Sequence, residues 1–260
     1  MRLVDTHAHI NFPEFKKDLS AVIERARLNG IIKIIEVGID RKTGLRALEI
    51  RAQYPDLIEV ALGFHPHYTK NLTEEDYLWL EKHLPLAVAL GEIGLDFQKE
   101  YSPKEMQVRH FERLLHIAQT NQKPVLLHLR GDLSFWKFTI DFLKAFKELN
   151  FLFHCFTSER EIACKLLDFN SLLSLPGVIT FDKATSLREA IKSLPLDRIV
   201  LETDCPYLSP VPMRGKRNEP AYLIYTAKCL AEIKGTTLEE IAERTTENAL
   251  KFFKLGHAGG

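Results

Sequence analysis

Several features that would place this chain in a special class are scarce or missing. Its 260 residues include four cysteines, and no two of them form a Cys-x-x-Cys pair. This excludes a disulfide framework and predicts reduced thiols in a cytoplasmic protein. The apolar runs, such as residues 31–39, are far shorter than the roughly 18–20 residues of a membrane span. We therefore expect no membrane partner, and the N-terminal residues do not have the pattern of a signal peptide.

An excess of charge of either sign is also missing. Lys plus Arg and Asp plus Glu both total 35, so the formal net charge is zero. A neutral chain has no overall field to hold a DNA duplex or an anionic membrane, because such binding depends on many basic side chains. Any binding of a polyanion must therefore come from a local patch.

What the sequence does contain is an alternation of short apolar runs and longer amphipathic segments. Eight continuous runs rich in Val, Ile, Leu and Phe are typical of buried parallel strands. They lie at 2–5, 31–37, 57–62, 86–90, 124–129, 151–156, 171–175 and 198–202. Helices are predicted at 15–29, 43–54, 73–83, 103–121, 132–149, 158–169, 184–194, 219–234 and 237–253.

This order of elements predicts the α/β class and a closed (β/α)₈ barrel, the TIM barrel, which needs about 250 residues. We expect one domain over residues 1–255 and a short frayed tail at 256–260. The competing fold, an open doubly wound sheet, would ordinarily carry a Gly-rich phosphate turn after its first strand. Here residues 5–9 read Asp-Thr-His-Ala-His instead.

Ionisable residues are concentrated where the predicted strands end, which is where barrel enzymes carry their catalytic groups. Six of the ten histidines fall at four strand ends, together with three carboxylates. The residues are His7, His9, His65, His67, His128, His154, Glu92, Glu202 and Asp204. Burying several such groups together without partners would cost at least a few kcal/mol each, and a bound cation removes that cost.

Four imidazoles and two carboxylates exceed what one tetrahedral ion uses and suit two divalent ions roughly 3.5–4 Å apart. We expect the ions to share a carboxylate and a water-derived hydroxide. The predicted ligands are His7, His9 and Asp204 on the first ion, His128 and His154 on the second, and Glu92 between them. Mixed nitrogen and oxygen ligands favour Zn, Mn, Fe or Co, and Mg would fit if water molecules completed its shell.

The same residues lie in motifs that resemble the TatD family of metal-dependent hydrolases. Five of these motifs are Asp5-Thr6-His7-Ala8-His9, Gly63-Phe64-His65-Pro66, Gly91-Glu92-Ile93-Gly94-Leu95-Asp96, His154-Cys155-Phe156 and Glu202-Thr203-Asp204-Cys205-Pro206. The resemblance runs in order from residue 3 to about residue 253. It implies an amidohydrolase-like TIM barrel, the same six metal ligands, and a deoxyribonuclease activity of the 3′–5′ exonuclease kind.

Other residues near the predicted mouth are candidates for substrate binding. We expect His65, His67, Arg130 and Arg217 to contact substrate, although Arg130 could equally pair with a neighbouring carboxylate. Arg217 belongs to the only dense basic cluster, in the loop after the last strand, where barrels commonly bind phosphate. Asp204 and Glu92 are the predicted catalytic carboxylates, with Asp204 as general base. Glu202 is expected to support a ligand or an arginine.

The predicted reaction is hydrolysis of a phosphodiester, with single-stranded DNA or a DNA end as the substrate. A neutral protein with a charged mouth suits a strand end better than a long duplex. Two alternatives remain open from the sequence. The same site could hydrolyse an ester, amide, lactone or phosphomonoester of a small molecule, or the barrel could bind metal or nucleic acid without catalysis.

Overall fold

The structure is a computed structural model that describes residues 1–256. Eight parallel strands lie side by side in one sheet, in the order of the chain. They are β1 (Leu3–Ala8), β2 (Ile31–Gly38), β3 (Ile58–Leu62), β4 (Ala89–Asp96), β5 (Val125–Arg130), β6 (Phe151–Phe153), β7 (Ser171–Leu175) and β8 (Ile199–Leu201). The predicted tail, apart from Gly256, lies outside the described residues.

Helices alternate with these strands, as the hydrophobic pattern predicts. They are α1 (Leu19–Leu28), α2 (Arg41–Gln53), α3 (Glu74–His83), α4 (Lys104–Thr120), α5 (Leu133–Leu143), α6 (Arg160–Leu166), α7 (Thr185–Lys192), α8 (Leu223–Lys234) and α9 (Leu238–Phe252). Short 3₁₀ helices join several of them. The predicted (β/α)₈ barrel is confirmed. In the described part of the chain, none of the helices combines the length and the apolar character of a membrane span.

Strand β4 differs most from its prediction. The apolar run at 86–90 suggests a strand there, but residues Leu84–Leu86 form a 3₁₀ helix that contains Pro85, and proline cannot donate to a strand ladder. The strand instead continues to Asp96, and Gly94 pairs with His128 of β5. β1 likewise continues to Ala8 rather than ending at Asp5. Polar mouth residues therefore belong to the strands themselves.

The first and last strands meet through a few hydrogen bonds rather than a regular ladder. The Asp204 N–H donates to the carbonyl of His7 at 2.9 Å, and the His9 N–H donates to the carbonyl of Cys205 at 2.9 Å. These bonds bring the loop after β8 against the end of β1. The nearly closed barrel therefore holds two of its most polar segments next to each other.

Two apolar layers hold the barrel. The larger lies between strands and helices, where side chains such as Phe151 and Phe153 are buried. The smaller contains strand residues that alternate with these, such as Leu152, and it packs against Leu250 and Phe253 at the end of α9. Inward and outward side chains alternate along a strand. The smaller layer therefore fills the barrel interior, and α9 covers the end opposite to the polar mouth.

Candidate metal centre

The six side chains predicted to bind metal lie together at the carboxyl ends of the strands. His7 is on β1 with His9 just beyond it, Glu92 is on β4 and His128 is on β5. His154 follows β6, and Asp204 follows β8. Most of these side chains are almost fully buried, and Asp204 and His128 are the most accessible, at 15% and 17%. The tertiary structure thus brings all six to one place.

The first group consists of His7, His9 and Asp204. The Nε2 atoms of His7 and His9 lie 3.1 Å apart, and Asp204 Oδ1 lies 3.5 Å from His9 Nε2 and 3.9 Å from His7 Nε2. His9 Nδ1 is 3.1 Å from the carbonyl of Val37. Because a carbonyl only accepts, Nδ1 carries the proton of neutral His9 and leaves the Nε2 lone pair facing the group.

The second group consists of Glu92, His128 and His154. Glu92 Oε1 lies 2.7 Å from His128 Nδ1 and 3.0 Å from His154 Nε2. The two nitrogen atoms are 3.3 Å from each other. Each of the two groups gathers ligand atoms within 4.8 Å, which is close enough for one ion to contact all of them.

Glu92 belongs to both groups because its two oxygen atoms point in different directions. Oε1 faces His128 and His154, whereas Oε2 lies 3.4 Å from His7 Nε2 and 3.8 Å from His9 Nε2. Burial by itself would raise the pKa of Glu92, but the facing imidazoles, His154 foremost, hold it well below its usual value. The side chain is therefore an ionised carboxylate with one oxygen for each group.

Two glycines beside Glu92 explain how β4 approaches β5 so closely. A Cβ atom on Gly94 would lie 2.0 Å from the carbonyl oxygen of His128, and one on Gly91 would lie 2.6 Å from the Cβ of Leu126. Both residues also have positive φ angles, which glycine adopts without strain. The Gly-Glu-Ile-Gly motif thus sets the distance between Glu92 and His128.

Two of the imidazoles that face the groups have carboxylates behind them. His128 Nε2 lies 3.4 Å from Asp96 Oδ2, and His154 Nδ1 lies 3.4 Å from Glu202 Oε1 without a hydrogen bond between them. Glu202 also accepts a hydrogen bond from the Cys155 N–H at 2.7 Å, and its support of a ligand stays a prediction. Acceptors of this kind fix the tautomer of a metal-binding histidine and direct its other nitrogen to the ion.

Two supporting carboxylates, Asp96 and Glu36, were not among the predicted site residues. Glu36 accepts hydrogen bonds from the N–H groups of Ile10 and Asn11 at 3.0 and 2.6 Å and so fixes the chain after His9. Burial raises its pKa to about 8. The sequence feature that could have identified Glu36 is its position as a charged residue within the apolar run of β2. Asp96 could have been identified by its position at the end of the Gly91–Asp96 motif.

His65 and His67 lie beside the second group. His65 Nε2 is 3.5 Å from Glu92 Oε1, and His65 Nδ1 accepts a hydrogen bond from the His67 N–H at 3.2 Å. Burial lowers the pKa of His65 to about 4, so the ring is neutral at pH 7 with its proton on Nε2. His67 Nε2 lies 2.8 Å from Asp96 Oδ2. These positions are compatible with substrate contact, which stays a prediction.

The two predicted arginines are placed differently from each other. Arg130 is exposed at the end of β5, and its Nε donates to Gln98 Oε1 at 2.9 Å. Arg217 is engaged by protein groups, because its two terminal nitrogens donate to the carboxylate of Asp18 at 2.9 and 2.7 Å and its guanidinium lies over the ring of Phe15. Arg217 thus ties the loop after β8 to the start of α1, and its contact with substrate stays a prediction.

The donor set fits divalent metal ions. Imidazole nitrogens with free lone pairs and ionised carboxylate oxygens are the ligands that such ions prefer in mixed sites. The buried Nδ1 atoms of His7 and His154 and Oε2 of Glu202 have no hydrogen-bond partner among the described residues, so protein contacts alone leave polar atoms of the cluster unsatisfied. The arrangement provides the ligands that a hydrolytic metal centre requires, and Asp204 and His128 remain partly accessible.

Comparison with known proteins agrees with this geometry. The family described as TatD related DNase matches residues 4–254. The chain is 41% identical over 261 residues to an uncharacterized metal-dependent hydrolase, YabD, of Bacillus subtilis, a match that covers 97% of this chain and 99% of that protein. The solved structure of YjjV, a TatD homologue from Escherichia coli, is 28% identical with a TM-score of 0.91, over 98% and 99% of the two chains.

A more distant solved structure shows the fold alone. An uncharacterized amidohydrolase from Saccharomyces cerevisiae is 18% identical, with a TM-score of 0.77 over 97% of this chain and 99% of that one. This likeness agrees with the predicted TIM barrel. Together, the match over nearly the whole chain and the cluster of histidines and carboxylates show that the chain belongs to the TatD family of metal-dependent hydrolases.

Proposed function

We propose that this protein is a TatD-type deoxyribonuclease that cleaves phosphodiester bonds with two divalent metal ions. The observation that carries the proposal is the orientation of Glu92, whose two oxygen atoms face two separate groups of imidazole nitrogens. A carboxylate in that position can bridge two ions that lie roughly 3.5–4 Å apart. The nitrogen-rich ligand set favours Zn²⁺ or Mn²⁺, and Mg²⁺ would require additional water ligands.

Divalent ions bound at the two groups would supply Lewis acidity and make water a competent nucleophile at neutral pH. The protein side chains provide proton transfer and orientation. Burial would raise the pKa of Asp204, but the adjacent His9 and the charges of the other nearby imidazoles lower it below its usual value. Asp204 is therefore ionised at pH 7 and can accept a proton from the attacking water as the general base.

His65 and Arg130 supply hydrogen-bond donors for the phosphate group. The neutral ring of His65 directs its Nε2–H towards the second metal group, next to Glu92. Among residues 1–256, Arg130 hydrogen bonds through Nε alone, so its terminal nitrogens are available to an anion. Donors placed in advance around a reacting phosphate stabilise the charge of the transition state. With a net charge of zero, these local donors suit a strand end or a single strand as substrate.

Metal analysis of the purified protein and hydrolysis assays test the proposal. The substrates are labelled single-stranded and duplex oligonucleotides, beside a carboxylic ester, a lactone and a phosphomonoester. We expect cleavage of oligonucleotides that chelation abolishes and that Zn²⁺ or Mn²⁺ restores. His128→Ala should abolish cleavage while circular dichroism shows that the fold persists. Undiminished nuclease activity in fully chelated protein would contradict the proposal.

A second comparison separates a phosphodiester substrate from a neutral small molecule. Arg130→Ala should lower kcat/KM for an oligonucleotide, because the guanidinium faces the charged phosphate. Arg244→Ala, on the outer helix α9, serves as a matched control that removes one exposed arginine away from the mouth. If Arg130→Ala and Arg244→Ala behave alike while an uncharged ester is hydrolysed rapidly, the small-molecule alternative is correct.

A further inference from the structure

Tyrosine exposure is concentrated at the mouth of the barrel. Of the seven tyrosines in the sequence, three have strongly exposed side chains: Tyr68 at 42%, Tyr101 at 56% and Tyr207 at 53%. They lie on three different loops, which follow β3, β4 and β8. Single exposed aromatic residues are common on protein surfaces, but the clustering of all three at one end needs an explanation.

One intervening ring separates each of these tyrosines from a predicted metal ligand. Tyr101 contacts His67 edge to face, with ring centroids 4.6 Å apart. Tyr68 lies in the same manner 6.2 Å from His65.

Tyr207 is connected to the first metal group in a similar way, since it lies 6.4 Å from Phe12. The ring of Phe12 in turn stacks on His9 at 4.7 Å. The exposed rings therefore lie about one ring's distance from ligands of both metal groups.

The phenol groups of the three tyrosines remain available. In the part of the chain that the structure describes, the only tyrosine hydroxyl in a hydrogen bond with another protein group is that of Tyr77, whose partner is His110. Burial raises the pKa of Tyr68 and of Tyr207, and the nearby charge of Glu92 adds to the effect at both. The two rings thus belong to the surroundings of the metal centre and have no structural hydrogen bond to make.

We infer that Tyr68, Tyr101 and Tyr207 form a base-stacking rim, which binds unpaired nucleobases on either side of the phosphodiester at the metal centre. The inference rests on the proposed nuclease function and specifies how its substrate is held. Stacking on aromatic rings is the usual way in which proteins bind single strands without reading their sequence. Stacking also supplies affinity that does not depend on net charge, and the net charge of this chain is zero.

The rim favours single-stranded substrates over duplexes. Bases in a duplex are stacked on each other and paired, so their faces are not available to tyrosine rings. At a single-stranded end the faces are free. The same three side chains therefore provide affinity for a strand end and discrimination against the interior of a duplex.

The test compares single substitutions on matched substrates with metal present. One substrate is a single-stranded oligonucleotide, and the other has abasic tetrahydrofuran residues at the two positions that flank the cleaved bond. We expect Tyr68→Ala, Tyr101→Ala and Tyr207→Ala each to lower kcat/KM for the first substrate about 5- to 150-fold, mainly through KM. The corresponding Phe variants should keep the wild-type values, because they retain the ring.

The abasic oligonucleotide shows whether the tyrosines act on bases. It should be a poorer substrate for the wild-type enzyme and should respond little to the Ala substitutions, because there is no base to stack. Tyr225→Ala is the control for loss of a partly exposed tyrosine elsewhere, since Tyr225 lies on helix α8 with its ring against Tyr222 and Lys228. Equal kcat/KM for wild type and all three rim Ala variants on the normal oligonucleotide would overturn the inference.

Equilibrium binding separates this inference from the proposed function. Fluorescence anisotropy of a labelled single strand, measured in chelator, reports stacking without cleavage. If the wild-type protein binds the strand and the Ala variants bind it more weakly, the rim is supported even if no phosphodiester is hydrolysed. If hydrolysis occurs but binding is unchanged in the Ala variants, the nuclease proposal holds and the rim is wrong.

Discussion

Asp96 Oδ2 lies 3.4 Å from His128 Nε2, on the side of the imidazole ring opposite to the Nδ1 atom that faces Glu92. The Asp96 side chain is fully buried, and its Oδ1 accepts hydrogen bonds from the N–H groups of Gln98 and Lys99 at 3.0 and 2.9 Å. Burial would raise the pKa of Asp96, but hydrogen bonds from His128 and His67 hold it well below its usual value. An ionised carboxylate only accepts, so Asp96 directs the proton of His128 to Nε2 and leaves Nδ1 free for a metal ion.

Replacing this carboxylate by an amide should weaken metal binding. In Asp96→Asn the amide NH₂ can face His128, which favours the tautomer with the proton on Nδ1. We expect the affinity of the second metal group to fall roughly 10- to 100-fold, as for other partners of metal-binding histidines. Isothermal titration with Zn²⁺ or Mn²⁺ measures the change. Asp56→Asn removes an exposed carboxylate that pairs with Arg27 and is the control; equal affinities in the two variants would contradict this role for Asp96.

Glu92→Gln tests the shared carboxylate directly. Glutamine keeps the size of the side chain but removes the negative charge that faces five imidazoles. We expect the metal content to fall from two ions per chain to at most one, and kcat/KM to fall on the order of 100-fold or more. Elemental analysis and the oligonucleotide assay measure these effects. Full retention of two ions in the variant would show that Glu92 does not bridge them.

The close approach of β4 to β5 predicts a large effect for Gly94→Ala. The added Cβ would lie 2.0 Å from the His128 carbonyl oxygen, so the strands must separate. We expect a loss of roughly 2–4 kcal/mol in the free energy of unfolding, as for other strained or overpacked sites. Gly215→Ala is the matched control, since Gly215 also has a positive φ but nothing within 4 Å of the new Cβ. Urea unfolding should show a smaller loss there, of about 1–2 kcal/mol; equal losses would mean that backbone conformation alone explains Gly94.

Metal ions should stabilise the fold, because the ligands converge only in the folded chain. A free ion concentration 100 times Kd adds about 2.7 kcal/mol per site to the free energy of unfolding. For a chain of this size that corresponds to a rise in Tm of roughly 5–10 °C. Thermal unfolding with Zn²⁺ or Mn²⁺, and again in chelator, measures the shift. Glu92→Gln should show a smaller shift, and the same rise in both proteins would argue that the ions bind elsewhere.

The order of elements could be predicted from sequence because the eight strands are continuous apolar runs, which stand out against amphipathic helices. Element boundaries were harder to predict where function places polar residues in a strand. β4 runs through Glu92 to Asp96, and its glycines and carboxylates do not form an apolar run. The pattern alone therefore placed this strand several residues too early.

The candidate ligands were predictable because parallel strands of one barrel end at the same mouth, so six ionisable residues that follow them must converge. The contacts that hold the site residues in place could not be predicted in this way. The pairing of Arg217 with Asp18 joins residues about two hundred positions apart, and the contact of Asp96 with His128 depends on the register of β4 and β5. Hydrophobic periodicity predicts neither contact.

The sequence by itself determined the barrel and the set of ionisable groups at its mouth. The order of the strands and the type of each side chain can both be taken directly from the sequence. The tertiary structure alone decided which atom of each group faces which neighbour. Side-chain direction decides how the Glu92 oxygens divide between two groups and which tautomer His128 adopts. It also decides where the three tyrosines of the base-stacking rim lie. That direction is set by strand register, glycine contacts and loop packing, which involve residues that are distant in the chain.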